Sequence, residues 1–158
     1  MLGMDEAAYA ETLSRLQPVY AGLNLAVSGA TVVVNSKALH HILPSLVPPI
    51  DRQYTIRFLT QAPEYWHDSK GGYRTISLPA GFDPQFRLFR DWCLQLKGLA
   101  DRVDPDLFEE QQRRNGVPPP KALDNAIVNY VRIVSRELAP RWMRPLLGQP
   151  AGPASASP

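Results

Sequence analysis

Apolar residues return every three or four positions in stretch after stretch of this chain, and prolines stand between the stretches. That spacing lays one side of a 3.6-residue helix against a core, and a proline, which has no amide proton and clashes with the turn before it, closes a segment. The clearest stripe is Phe86, Phe89, Cys93, Leu96 and Leu99 or Ala100. With Asp83-Pro84 as cap and first-turn proline it predicts a helix over about 84–101. Tyr9, Leu13, Leu16, Tyr20 and Leu23, behind a capping Asp5, predict a first helix over about 5–22.

The remaining segments are shorter. Ser36 offers a cap for a short helix whose Leu39, Ile42 and Leu43 face inward until Pro44, and Asp51 caps a third helix over about 51–61. Asp104-Pro105 opens a helix carrying Leu107 and Phe108 that ends at Asn115-Gly116, and Pro118-Pro119-Pro120 reads as a stiff spacer. Leu123, Ile127, Tyr130, Val131, Val134 and Leu138 mark a closing helix stopped at Pro140. The run Ala30-Thr-Val-Val-Val34 is compatible with a short strand or with a buried helical turn. The stretch 63–81 is irregular, with Tyr73 to Leu78 as a candidate hairpin arm. These segments predict an all-α fold: a single-domain bundle of about six helices over 1–147 with an irregular central loop or small hairpin. The tail 148–158, of Pro, Gly, Ala, Ser and Gln, has no core-forming residue and is expected to be disordered.

At 158 residues the chain suits one domain, able to bury roughly two thirds of its unfolded surface and to fold without a cofactor. A formal charge of +2, from 17 Lys+Arg against 15 Asp+Glu, is too balanced to name nucleic acid or an anionic membrane by itself. The single Cys93 excludes an internal disulfide and a cysteine-rich zinc site, and fits a reducing compartment and a core position. Met1 to Ala10 carries Asp5 and Glu6 rather than the basic start and apolar run of a secretory signal. No apolar stretch approaches the roughly 20 residues that span a bilayer. The expectation is a cytoplasmic protein with no membrane partner.

Candidate chemistry concentrates between Val32 and Phe58, where Lys37, His40, His41, Asp51, Arg52 and Arg57 sit in an otherwise apolar run. His40 and His41 diverge by about 100° on a helix, so no shared metal is expected. Asp51 reads as a helix cap worth about 1 kcal/mol, or as an acid that orients water or stabilises a developing cation beside Lys37. Lys37, one residue past the Ser36 cap, opposes the helix dipole, which stability alone would not select. Arg52 and Arg57, five apart, point to different sides of their helix. Asp124 reads as a first-turn acid, while Asn125 and Asn129 share a face and suit a polar pocket. Tyr65, Trp66 and Tyr73 suit stacking on bases or on a partner, or folding back on the core. Glycine-rich phosphate loops, Gly-x-Ser-x-Gly and His-Glu-x-x-His are absent.

Ser36-Lys-Ala-Leu-His40, Leu43-Pro44, Pro49-Ile-Asp51 and Arg57 resemble a motif of uncharacterised bacterial proteins and, more remotely, the helix-hairpin-helix DNA glycosylase superfamily. The resemblance covers about 25 residues and implies a helix leading through proline to a Pro-x-Asp that starts the next helix. It implies that Asp51 matches the catalytic acid of that superfamily, in some members of which a hairpin lysine is the nucleophile. The superfamily's Gly-x-Gly turn, which holds a DNA phosphate, has only Gly29 as counterpart in Ser28-Gly-Ala-Thr-Val32. Three functions are therefore expected in order: a DNA-associated protein with a degenerate glycosylase-like hairpin, in which Asp51 and Lys37 would carry any catalysis and His40, Arg52, Arg57 and Asn125 binding; a module binding another protein through loop 63–81 or helix 84–101; and an enzyme with a pocket around Lys37, His40, Asp51 and Asn125.

Overall fold

A computed structural model describes residues 1–23, 25, 29–60 and 78–134. The candidate hairpin arm (except Leu78), the aromatic loop residues Tyr65, Trp66 and Tyr73, and the tail 148–158 lie outside the described residues. Among the described residues seven helices follow one another: α1 (Glu6–Arg15), α2 (Gln17–Gly22), α3 (Thr31–Ile42), α4 (Thr55–Thr60), α5 (Phe82–Ala100), α6 (Pro105–Asn115) and α7 (Pro119–Val134). No strand occurs among the described residues, and the all-α expectation holds.

Several boundaries depart from the sequence expectation. The helix expected over 5–22 is two helices, α1 and α2, because Pro18 cannot donate back across the turn at Leu16 and instead occupies the first turn of α2. The β-branched run from Thr31 is the start of α3, not a strand. Its burial against the protein interior outweighs the modest helix penalty of Val and Thr. Ser36 is therefore mid-helix and no cap, and Lys37 stands well inside α3, so the dipole conflict expected at a first turn does not arise. Asp83 is not the cap of α5 either. Gly81 occupies that position with φ at 91°, and Asp83 sits in the first turn, where its charge complements the dipole. Pro119 and Pro120 are no spacer but the first turn of α7, a position that needs no proline amide. Asp104 caps α6 as expected, accepting from the amide of Asp106 at 3.1 Å.

The long helix α5 packs against α1, α2, α3 and α7. Its inward stripe of Phe86, Phe89, Trp92, Cys93, Leu96 and Ala100 is buried, and Tyr9, Leu13, Tyr20, Val32 and Leu39 meet it from the other side. The Tyr20 ring lies 5.2 Å from Phe86 and 5.1 Å from Phe89, distances at which aromatic edges and faces attract. Ile42, expected to face inward, is exposed, as is Leu107. Cys93 is fully buried, and burial pushes its thiol well above the ordinary range. It is a small apolar core residue and not a thiolate. Helix α4 packs on α7, and Thr55 at the end of the connector between α3 and α4 bonds Asp124 of α7.

Candidate functional site

The Ser36-Lys-Ala-Leu-His40 segment clamps the connector that follows it. Ser36 Oγ receives the Ile50 amide at 3.1 Å, and His40 Nδ1 lies 2.8 Å from the Val47 carbonyl. Between these two contacts Lys37 Nζ meets Asp51 Oδ2 at 2.9 Å. Leu39 is turned to the core. One helix face thus anchors three points of the Leu43–Asp51 connector and makes Lys37 and Asp51 neighbours, an adjacency that their spacing in the sequence leaves open. The Val47 carbonyl can only accept, so Nδ1 carries the proton and Nε2 is the remaining ring nitrogen, an acceptor in the neutral imidazole.

Asp51 has both carboxylate oxygens engaged. Oδ1 accepts from the amides of Gln53 at 2.7 Å and Tyr54 at 3.2 Å, which caps the turn ahead of α4, and Oδ2 takes Lys37. Half-burial alone would raise its pKa, but the Lys37 hydrogen bond and charge and the two amides outweigh it and hold the carboxyl below the ordinary aspartate range.

A second pair lies across the site. Lys121 Nζ is 2.6 Å from Asp124 Oδ2, and Asp124, only 6% exposed, accepts from Thr55 Oγ1 through Oδ1 at 3.2 Å. Thr55 Oγ1 in turn accepts from the Asp51 amide at 3.1 Å. One threonine hydroxyl thereby joins the Asp124 carboxylate on α7 to the Asp51 backbone on the connector.

Between them opens a pocket of about 680 Å³, walled on the α3 side by Lys37, His40 and His41, on the connector side by Pro49, Asp51 and Tyr54, and on the α7 side by Lys121, Asp124, Asn125, Asn129 and Arg132. The Arg132 guanidinium stands 5.5 Å from the centre of the Tyr54 ring, within cation–π range. Lys37, His40, Asp51 and Asn125, four of the six residues singled out in the sequence, line this one pocket. Arg52 and Arg57 do not. Arg57 is buried in α4, Arg52 is half-buried in the turn before it, and both have interactions of their own. Lys121 carries no mark in the sequence that singles it out, and Asp124 reads there only as a first-turn acid. The available signal is the polar stripe Lys121, Asn125, Asn129, Arg132, at steps of four, four and three along one side of α7.

Three cations (Lys37, Lys121, Arg132) face two carboxylates (Asp51, Asp124) in the pocket. Because both acids are engaged, its unspent hydrogen-bonding capacity is mostly donor: two protons on each ammonium and the amides of Asn125 and Asn129. Such a lining can donate to a ligand rich in hydrogen-bond acceptors. Among the described residues no group of three or more His, Cys, Asp and Glu is placed to hold a metal ion, and no helix is long and apolar enough to cross a membrane.

Fold and site together define the molecule as an all-α bundle with a charged, donor-rich pocket between two of its helices. No family model, curated protein or solved structure matches the chain.

Proposed function

We propose that the chain is a small helical DNA-associated protein that engages its partner at the pocket between α3 and α7. The observation that carries this reading is the pair of ammonium groups lining the pocket, Lys37 on Asp51 and Lys121 on Asp124, each of which spends one proton on its carboxylate and keeps two for phosphate oxygens. The resemblance of Ser36–Asp51 to the helix-hairpin-helix glycosylases supports the same partner. Basic contacts would come from Lys37, Lys121 and Arg132. Arg52 and Arg57, being outside the pocket, would shape its support and not its surface. Lys37 is already engaged with Asp51, and in this reading it serves as a phosphate contact and not as an amine nucleophile.

The test is binding of labelled single-stranded, duplex and abasic DNA across a salt series, with Lys37→Ala and Asp51→Asn alongside. Removing one lysine–phosphate pairing should lower the slope of log affinity against log salt by about 0.7 to 0.9. The expected outcome is salt-sensitive binding, weakened and with a shallower slope in Lys37→Ala. Absence of binding at low salt retires the DNA reading.

A second reading, an enzyme acting on a small anionic substrate, is favoured by one observation: His40 offers Nε2 on the wall next to that of the ionised Asp51, which places an imidazole nitrogen and a fixed anion in one pocket. Turnover that vanishes in His40→Gln while binding persists would establish it.

A further inference from the structure

We infer that the pocket is a receptor for a phosphate monoester, either the terminal phosphate of a nucleic-acid strand or the phosphate of a free nucleotide. For the strand end as source, the inference rests on the DNA-associated reading above.

The first ground is that the donors are held in place before any ligand arrives. Lys37 is fixed by Asp51, which is itself fixed by two amides. Lys121 is fixed by Asp124, which is fixed by Thr55. Lysine side chains ordinarily lose rotamer freedom when they bind an anion, and here that loss has already been taken on folding. Each ammonium keeps two protons for a ligand.

The second ground is charge. A monoester carries about −1.5 to −2 at neutral pH, whereas an internal diester carries −1 and offers fewer free oxygens. Because each ammonium is already paired with a carboxylate, the preference for the monoester comes from its greater number of free, charged oxygens, which can take the protons that Lys37 and Lys121 have left.

The third ground is shape. The donors stand on the walls of a concavity of about 680 Å³, within the range of small-molecule sites. A terminal group enters such a space end-on. An internal phosphate has chain leaving on both sides and would have to be threaded through it. Asn125 and Asn129, further along α7, offer neutral amides to whatever sugar or base follows the phosphate.

The test compares two single-stranded oligonucleotides of one sequence, with and without a terminal phosphate, and thymidine monophosphate as a free competitor, at fixed ionic strength and neutral pH. Proteins are the unaltered chain, Lys37→Gln, Lys121→Gln and, as a control outside the pocket, Arg15→Gln. The expected result is that the phosphorylated strand binds about tenfold tighter or more, the advantage one charge-assisted hydrogen bond can carry. Thymidine monophosphate should displace it, and both pocket variants should erase the difference while Arg15→Gln keeps it. Lys121→Gln leaves the buried Asp124 with Thr55 alone; if that variant does not fold, Lys37→Gln, whose side chain is 47% exposed, decides the matter by itself.

Equal affinity for the two strands, with no displacement by the monophosphate, overturns the inference and leaves DNA association standing. Binding of the monophosphate alone, abolished in Lys37→Gln, supports the inference with the free nucleotide as source and retires DNA. No binding of any probe overturns both.

Discussion

Asp51 combines two roles, and they can be separated by choosing what replaces it. Its Oδ1 caps the turn before α4 and its Oδ2 pairs with Lys37. Asn retains an oxygen for the cap and loses the charge, whereas Ala loses both. The side chains of the pair are 47% and 30% exposed, so water screens it and Asp51→Asn is expected to cost only about 0.5–1 kcal/mol. Asp51→Ala should cost about 1 kcal/mol more, the usual contribution of a cap. Urea unfolding of the two variants measures the difference, and equal losses would mean that the cap contributes nothing. The same residue sets an acid dependence. Its carboxyl is held below the ordinary value in the folded chain, so the unfolded chain takes up the proton first as pH drops. The stabilisation is complete above about pH 4, the unfolded aspartate value, and is lost as pH falls through the lower folded value. Below about pH 4 the stability of the unaltered chain should therefore fall more steeply than that of Asp51→Asn, as followed by urea midpoints at each pH.

At the scale of elements, Thr55 is the joint between the connector, α4 and α7. Its hydroxyl accepts the Asp51 amide and donates to Asp124. Thr55→Val keeps the shape and removes both bonds, leaving a part-buried amide and one oxygen of a buried carboxylate without partners. A loss of about 1–3 kcal/mol is expected, together with weaker anion binding, because Asp51 and Asp124 no longer hold the two lysines in register. Thermal melts and the oligonucleotide titration check the two halves separately. None of this joint is visible in the sequence. The apolar stripes of α5, α7 and α1 are, because a repeat of three and four positions follows directly from helical geometry. So is the Asp104 cap, a local event between residues two apart. Where neighbours far along the chain decide the outcome, local pattern misleads. Thr31–Val34 fits a strand as well as a helical turn until α5 is seen to pack on α3, and Ser36 looks like a cap until Ile50, fourteen residues on, is seen to need its hydroxyl. Pro18 is a local signal that the strong Tyr9-to-Leu23 stripe obscures. The pocket is half legible. Lys37, His40 and Asp51 crowd one short segment, but their partner stripe on α7 lies about seventy residues away and surfaces only when packing is known.

For the molecule as a whole, stability and ligand binding are carried by different parts and should fail independently. The core is organised around α5, and Phe89 is fully buried at its centre against Tyr20 and Phe86. No residue of α5 lines the charged pocket. Phe89→Ala should cost about 3–5 kcal/mol through lost burial and the cavity left behind, a large part of the roughly 5–15 kcal/mol that holds a domain of this size. A ligand that sees only folded protein has its apparent affinity reduced by the folded fraction alone. While nine-tenths or more of the variant remains folded, its affinity for a phosphorylated strand should therefore match that of the unaltered chain within measurement error. Lys37→Gln should do the reverse, with a urea midpoint near that of the unaltered chain and the advantage of the phosphorylated strand erased. Denaturant titration and binding on the same two preparations read this out directly. Loss of binding in folded Phe89→Ala would mean that α5 helps to set the geometry of the α3–α7 wall, and would move the determinants of the site from the pocket lining into the core beneath it.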